Sequence, residues 1–251
     1  MFHFLVTAQD PETQQAVFTP ALLLAEANLL IVAGYDTSSA TLSSLFWYLT
    51  HTPRAYAKLA AEIRSTFARP EDVAHGPKLA SCKYLRACLD ETLRISAPGP
   101  SEFEREVLAA GAVIDGEFYP GGTIVGTPSW ALFRNELTFG DASTFRPERW
   151  IPSQGPDSLN TEDDVLRLRR GFHPFQKGAG MCLGVNIAYL QMSVTVARTL
   201  LRMDVRIAPG NTLGGGSEKL GWGQRDPRQY VLRDAFIAER DGPMVQFKRR
   251  V

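Results

Sequence analysis

A chain of 251 residues with 44% hydrophobic content can bury a core of one large or two small domains. Lys plus Arg and Asp plus Glu both total 27, so no net charge draws it to nucleic acid or an anionic membrane surface. Three cysteines, 82, 88 and 182, are too few for a disulfide framework and leave at least one free thiol, and the four histidines show no metal-ligand spacing.

Taken in chain order, the opening Met1 to Leu5 lacks the features of a signal peptide. The apolar stretch Leu22 to Gly34 is too short to span a bilayer, so no membrane segment is expected here. Residues 20–50 read as one long helix, with Thr19 as N-cap, Pro20 at its first position and Pro53 beyond its end. Its centre, Ala33-Gly34-Tyr35-Asp36-Thr37-Ser38-Ser39, gathers poor helix formers, and a sequence that weakens a helix mid-length marks a site. Further helices are expected over about 54–67 and 84–95, the latter closed by Pro98-Gly99-Pro100.

From Glu106 to Thr127 the pattern changes to short β segments, with Asp115-Gly116 as a hairpin turn. Segments 152–164 and 208–228, rich in Pro, Gly, Ser and Asp, read as loops. Beyond Cys182 the residues Leu183, Ile187, Leu190, Val194, Ala197 and Leu201 recur at spacings of four and three, which predicts a helix buried along one face. The tail from Tyr230 alternates at Val245 and Phe247 and is expected to form a closing strand pair.

Three constellations carry chemistry. In Phe175-Gln176-Lys177-Gly178-Ala179-Gly180-Met181-Cys182-Leu183-Gly184, three glycines surround a cysteine just ahead of a helix. The positive potential of a helix N-terminus favours a thiolate, and glycines admit a flat cofactor close to the backbone. The plain alternative is a small buried cysteine in a glycine-rich turn. Glu91-Thr92-Leu93-Arg94 sets an acid and a base three residues apart on one helix face; an exposed pair of this kind is worth little. The third is the weak helix centre around Gly34, Asp36 and Thr37.

Together these elements resemble the cytochrome P450 family, over its C-terminal half. Phe175, Gly178, Cys182 and Gly184 match its cysteine loop, Glu91 and Arg94 its Glu-x-x-Arg pair, and Phe145-Arg146-Pro147-Glu148-Arg149-Trp150 the segment whose arginine, here Arg149, completes a structural triad. The resemblance implies a mainly α fold with small β-sheets, in which residues 1–251 form a single haem-binding domain truncated at its N-terminal side. It implies haem b (iron protoporphyrin IX) with Cys182 as the iron ligand, Arg105 at a propionate, room for dioxygen at Gly34, and a proton relay through Asp36 and Thr37.

The implied reaction inserts one oxygen atom of dioxygen into a small apolar organic substrate, with electrons from NADPH through a separate flavoprotein reductase. The wording of several segments is most similar to that of filamentous-fungal members, including benzoate hydroxylases and tailoring enzymes of secondary metabolism. Full-length relatives are expected on the cytoplasmic side of the endoplasmic reticulum. Two departures stand out: Gly180 occupies a position usually held by Arg or His, and Phe133 one often held by His. A second reading, a truncated and catalytically silent fragment with weak or no haem binding, stays open, as does a structural role for Cys182.

Overall fold

The computed structural model describes residues 2–153 and 160–250. In chain order it places helices α1 (Phe2–Thr7), α2 (Pro20–His51), α3 (Pro53–Thr66), α4 (Pro77–Ala80) and α5 (Lys83–Ile95) ahead of four short strands. These are β1 (Arg105–Glu106), β2 (Ala112–Ile114), β3 (Glu117–Tyr119) and β4 (Ile124–Val125). Then come α6 (Ser129–Leu132), α7 (Glu136–Phe139), α8 (Glu162–Arg170), α9 (Val185–Arg202), β5 (Met203–Ile207) and β6 (Val245–Arg249). The expected class, mainly α with small β-sheets, is what forms.

The long helix α2 starts where its cap demands: the Thr19 hydroxyl accepts from the Leu22 amide at 3.3 Å, and Pro20 follows. At 32 residues it runs about 48 Å. It passes unbroken through Gly34, so the weak propensity at its centre does not interrupt it. Its two halves have different surroundings. The second half buries Leu45, Trp47, Tyr48 and Leu49 against α3, α5 and α9, where Leu59, Ile63, Leu85, Leu89, Val196 and Leu200 complete the core. Each fully buried side chain of this size contributes about 1.5–3 kcal/mol. In the first half Leu24, Leu29, Ile31, Val32 and Tyr35 stay exposed.

The Asp115-Gly116 hairpin forms as expected, both residues taking positive φ (51° and 84°), and joins β2 to β3 with Ile114 opposite Glu117. β1 pairs with β4, Arg105 opposite Val125.

Three expectations are corrected. The tail does not close on itself: β6 pairs antiparallel with β5, Phe247 opposite Val205, because the segment after α9 offers a five-residue edge of matching length. Within the tail only an isolated bridge joins Arg233 and Glu239. Of the expected loop 152–164, residues 154–159 lie outside the described residues, and 162–164 form the first turn of α8. There Thr161 and Asp164 make a reciprocal capping box, the Thr161 hydroxyl accepting from the Asp164 amide at 3.1 Å and the Asp164 carboxylate from the Thr161 amide at 3.0 Å. Thr161→Ala is therefore expected to cost about 1 kcal/mol, readable as a lowered urea midpoint with unchanged m-value. Finally, α9 begins at Val185, and of the apolar stripe read from Leu183 only Ala197 is buried, with Leu190, Val194 and Leu201 partly so, while the helix buries Met192, Val196 and Leu200 outside that stripe. Leu183 is 99% exposed and Ile187 is exposed as well, so the apolar residues at this end of the helix do not join the core.

Candidate functional site

The Glu91–Arg94–Arg149 cluster joins α5 to the segment that ends at Trp150, and all three side chains are 0% exposed. Arg94 holds Glu91 through both carboxylate oxygens, Nε to Oε2 at 3.0 Å and Nη2 to Oε1 at 2.8 Å. Arg149 Nε lies 3.3 Å from Oε2. The Trp150 indole N–H and the Arg146 amide each donate to the same carboxylate at 2.9 Å. The pair whose spacing alone allowed a weak, exposed contact is thus part of a buried network whose acceptors are filled. Burial alone would raise the Glu91 carboxyl, but the arginine charges and donors outweigh it and hold it below the ordinary carboxylate range. Burial depresses the Arg149 guanidinium, with Glu91 acting against that.

The remaining donors of the two arginines reach backbone carbonyls. Arg94 donates to Phe133 and Ala142, and Arg149 to Phe139, Gly140 and Asp141. The network therefore straps residues 133–150 to α5. It reaches the cysteine loop through packing: the Phe172 ring lies 4.6 Å from Trp150 and 5.4 Å from Phe133, three residues ahead of Phe175. Phe133, at the position noted for its lack of a histidine, is a core side chain in that stack.

From Phe175 the chain turns back over a short 3-10 segment, Gly178–Gly180. Gly178 has φ +72°, a left-handed conformation that explains a glycine there. The Cys182 amide donates to the Phe175 carbonyl at 2.9 Å and closes the loop. Gly184 is the N-cap of α9, so Cys182 sits two residues ahead of that cap. Its thiol is free and exposed, whereas Cys82 and Cys88 are free and buried. Burial pushes the Cys82 thiol up and the Cys88 thiol well up. Phe175 packs on Tyr189 of α9, ring centroids 5.2 Å apart, and fixes the loop to the helix.

A cleft of about 280 Å³ joins this loop to α2. Cys182, Phe175, Gln176 and Gly180 line it together with Thr37, Ser38 and Thr41 of α2, Leu93 and Ala97 near the end of α5, Met192 of α9, and Phe103, Phe236 and Ile237 from loops. Among the described residues Arg105 is the one Lys, Arg, Asp or Glu in that lining. Wider recesses of about 450 and 880 Å³ lie elsewhere, but no cysteine or histidine lines either among the described residues. Nor do three or more His, Cys, Asp or Glu side chains converge on a point among the described residues. A metal held in this cleft by the protein would have to rely on a single sulfur, as the iron of a tetrapyrrole does.

The structure thus brings Cys182, Phe175, Arg105 and Thr37 to one cleft. Thr37 Oγ1 donates to the Ala33 carbonyl one turn back at 2.8 Å. Asp36 is half-buried on the adjoining face of α2 and is not a lining residue; Gly34 is exposed, with no atom within 4 Å of where a Cβ would stand. Sequence reasoning missed Ser38, Thr41, Phe103, Phe236 and Ile237. The last two are held in place by the Ala238 amide, which donates to the Pro98 carbonyl at 2.8 Å, and by Arg240, which donates to the Ser39 hydroxyl. Phe236, at positive φ (67°), meets Phe103 edge-on at 5.8 Å.

Comparison with known proteins agrees with this architecture. The sequence model of the cytochrome P450 family matches residues 1–230, and the chain belongs to that family. Among curated relatives, it is 39% identical to cytochrome P450 monooxygenase apf7 of Gibberella fujikuroi, over 100% of this chain and 46% of the relative. It is 36% identical to a cytochrome P450 monooxygenase of Gibberella zeae (98% of this chain, 55% of the relative), and 34% identical to cytochrome P450 monooxygenase AKT7 of Alternaria alternata (99% and 48%). The chain spans about half the length of these relatives. Among the described residues no helix is long and apolar enough to cross a membrane.

Proposed function

We propose that the cleft takes haem b with Cys182 as its iron ligand, and that residues 1–251 act as one haem-binding domain of a monooxygenase. The reaction is insertion of one oxygen atom of dioxygen into a small apolar organic substrate, in fungal secondary metabolism. The observation that carries this is the cleft itself: the only exposed thiol of the chain shares apolar walls with three hydroxyls of α2 and a single cation. Bound haem would supply dioxygen activation, with a thiolate ligand favouring O–O cleavage and electrons arriving from NADPH through a flavoprotein reductase.

The chain's own residues have separate tasks. Cys182 offers its free, exposed sulfur just ahead of the start of α9 as the ligand for the iron. Phe103, Phe236 and Ile237 present apolar surface that orients an apolar substrate and excludes water. The Thr37 hydroxyl can pass a proton into the cleft, and Asp36, half in solvent on the next position of the helix, can resupply it. The room for dioxygen belongs at the turn of α2 containing Gly34.

In oxygen-18 gas with reductase and NADPH, one label per product molecule is expected. Thr37→Ala should leave the absorption spectrum intact while product formed per NADPH falls by about tenfold or more. A Thr37→Ala enzyme that stays fully coupled contradicts the relay.

One observation favours a second reading, a chain that holds haem weakly. Leu24, Leu29, Ile31 and Tyr35 of α2 are exposed, so the first half of the helix that carries Thr37 lacks packed support. Haem retention by this chain through gel filtration separates the two.

A further inference from the structure

We propose that Asp90 and Tyr189 form a second anchor of the cysteine loop, acting on Cys182 through Phe175 as positioning residues. This rests on the reading that Cys182 holds an iron. Asp90 and Glu91 are consecutive on α5 and both are 0% exposed, but they serve different neighbours. Glu91 holds the segment that ends at Trp150, whereas Asp90 gathers donors from α8 and α9 as well as from its own helix. The Tyr189 hydroxyl donates to Asp90 Oδ1 at 2.7 Å, Arg86 Nε to the same oxygen at 2.9 Å, and Arg169 Nη1 to Oδ2 at 3.3 Å. Neither Asp90 nor Tyr189 lines the cleft, so any effect they have on the iron passes through other residues.

The path to the sulfur is short. The Tyr189 ring is clamped on three sides: Asp90 holds its hydroxyl, the Arg86 guanidinium lies 3.6 Å from its centroid, and Phe175 packs on it at 5.2 Å. The Phe175 carbonyl in turn accepts from the Cys182 amide. Burial, and after it the Asp90 charge, pushes the Tyr189 phenol up, so it stays a donor throughout the working pH range. Both arginine side chains are partly exposed and can turn to water, which leaves the tyrosine as the donor that joins Asp90 to the loop. A ring free to tilt would shift Phe175, and with it the backbone that carries the ligand. Groups that orient a metal ligand typically govern metal affinity by about 10- to 100-fold.

The test uses the full chain loaded with ferric haem and compares Tyr189→Phe, Asp90→Leu and Asp90→Asn. Tyr189→Phe keeps the ring and removes only the hydroxyl. It should release haem to excess apomyoglobin about tenfold faster or more, and its reduced carbon monoxide complex should show part of the Soret absorption at the unshifted position. Asp90→Leu should do the same, and the double variant should be no worse than either single one, because the two groups act through one bond. Asp90→Asn keeps an oxygen where Tyr189 and Arg86 meet and should behave as the parent. Hydrogen exchange of the unloaded chain gives a readout free of haem: in Tyr189→Phe the Cys182 amide should exchange about tenfold faster or more, losing more protection than the core amides of α3. Equal loss at both places would mark a general stabilising contact and overturn the proposal, as would parental haem release and spectrum in Tyr189→Phe. A parent without the shifted band removes the haem reading and this inference with it; a parent that shows the band while Tyr189→Phe matches it removes this inference alone.

Discussion

Glu91→Gln is expected to destabilise the protein by about 3–5 kcal/mol, enough to leave many domains unfolded at working temperature. The substitution keeps the shape and removes the charge, leaving two buried guanidiniums facing a neutral amide. Both are 0% exposed, so water cannot replace the lost partner. The amide NH2 must also point a donor at donors, since five groups converge on the carboxylate: Arg94 Nε and Nη2, Arg149 Nε, the Trp150 indole and the Arg146 amide. The same geometry fixes the pH dependence. Folding holds the Glu91 carboxyl below its unfolded value of about 4.3. Its contribution is thus complete above that pH and is lost as pH falls through the lower folded value. Urea unfolding from pH 7 to pH 3 should show stability falling below about pH 4.3, with a shallower fall in Glu91→Gln. A variant as stable as the parent at pH 7 would show that the network contributes little.

Cys182→Ala is expected to abolish the red-shifted Soret band of the reduced carbon monoxide complex while leaving the fold in place. Cys182 is exposed and donates only its backbone amide to the loop, so its side chain supports no packing that the fold needs. The other two cysteines make the contrast sharp. Cys88 of α5 is fully buried in the core, with its thiol pushed well up by burial, and Cys82 is buried at the start of α5. Neither lines the cleft. Cys88→Ala should therefore keep the thiolate spectrum at some cost in stability. Loss of the band in Cys88→Ala and its survival in Cys182→Ala would reverse the assignment.

Local signals were legible in the sequence, and long-range ones were not. The start of α2 announces itself in Thr19-Pro20, and the β2–β3 turn in Asp115-Gly116, because caps and tight turns depend on adjacent residues. The spacing of Glu91 and Arg94 revealed a pair, yet its burial depends on Phe133 and on residues 139–150, some 40 to 60 positions away. The β5–β6 pairing likewise joins segments separated by the whole loop region after Ile207. Helical spacing counted Leu183 and Ile187 as core, but periodicity says which residues share a face, and only the fold decides whether that face is covered. α8 went unread for a different reason: its first turn, Glu162-Asp163-Asp164, has the composition of a loop, and its identity depends on the Thr161 cap. At the candidate site, Cys182 and Thr37 stood out through their unusual surroundings. Phe103, Phe236 and Ile237 are ordinary apolar residues, brought in by loops that the Ala238–Pro98 and Arg240–Ser39 contacts tie down.

The most direct test of the account is to load the purified protein with haem, reduce it and add carbon monoxide. A red-shifted Soret band, lost in Cys182→Ala, is the predicted result. Haem that binds yet gives the unshifted band of a nitrogen-ligated or unligated iron would contradict the claim that this sulfur holds the metal.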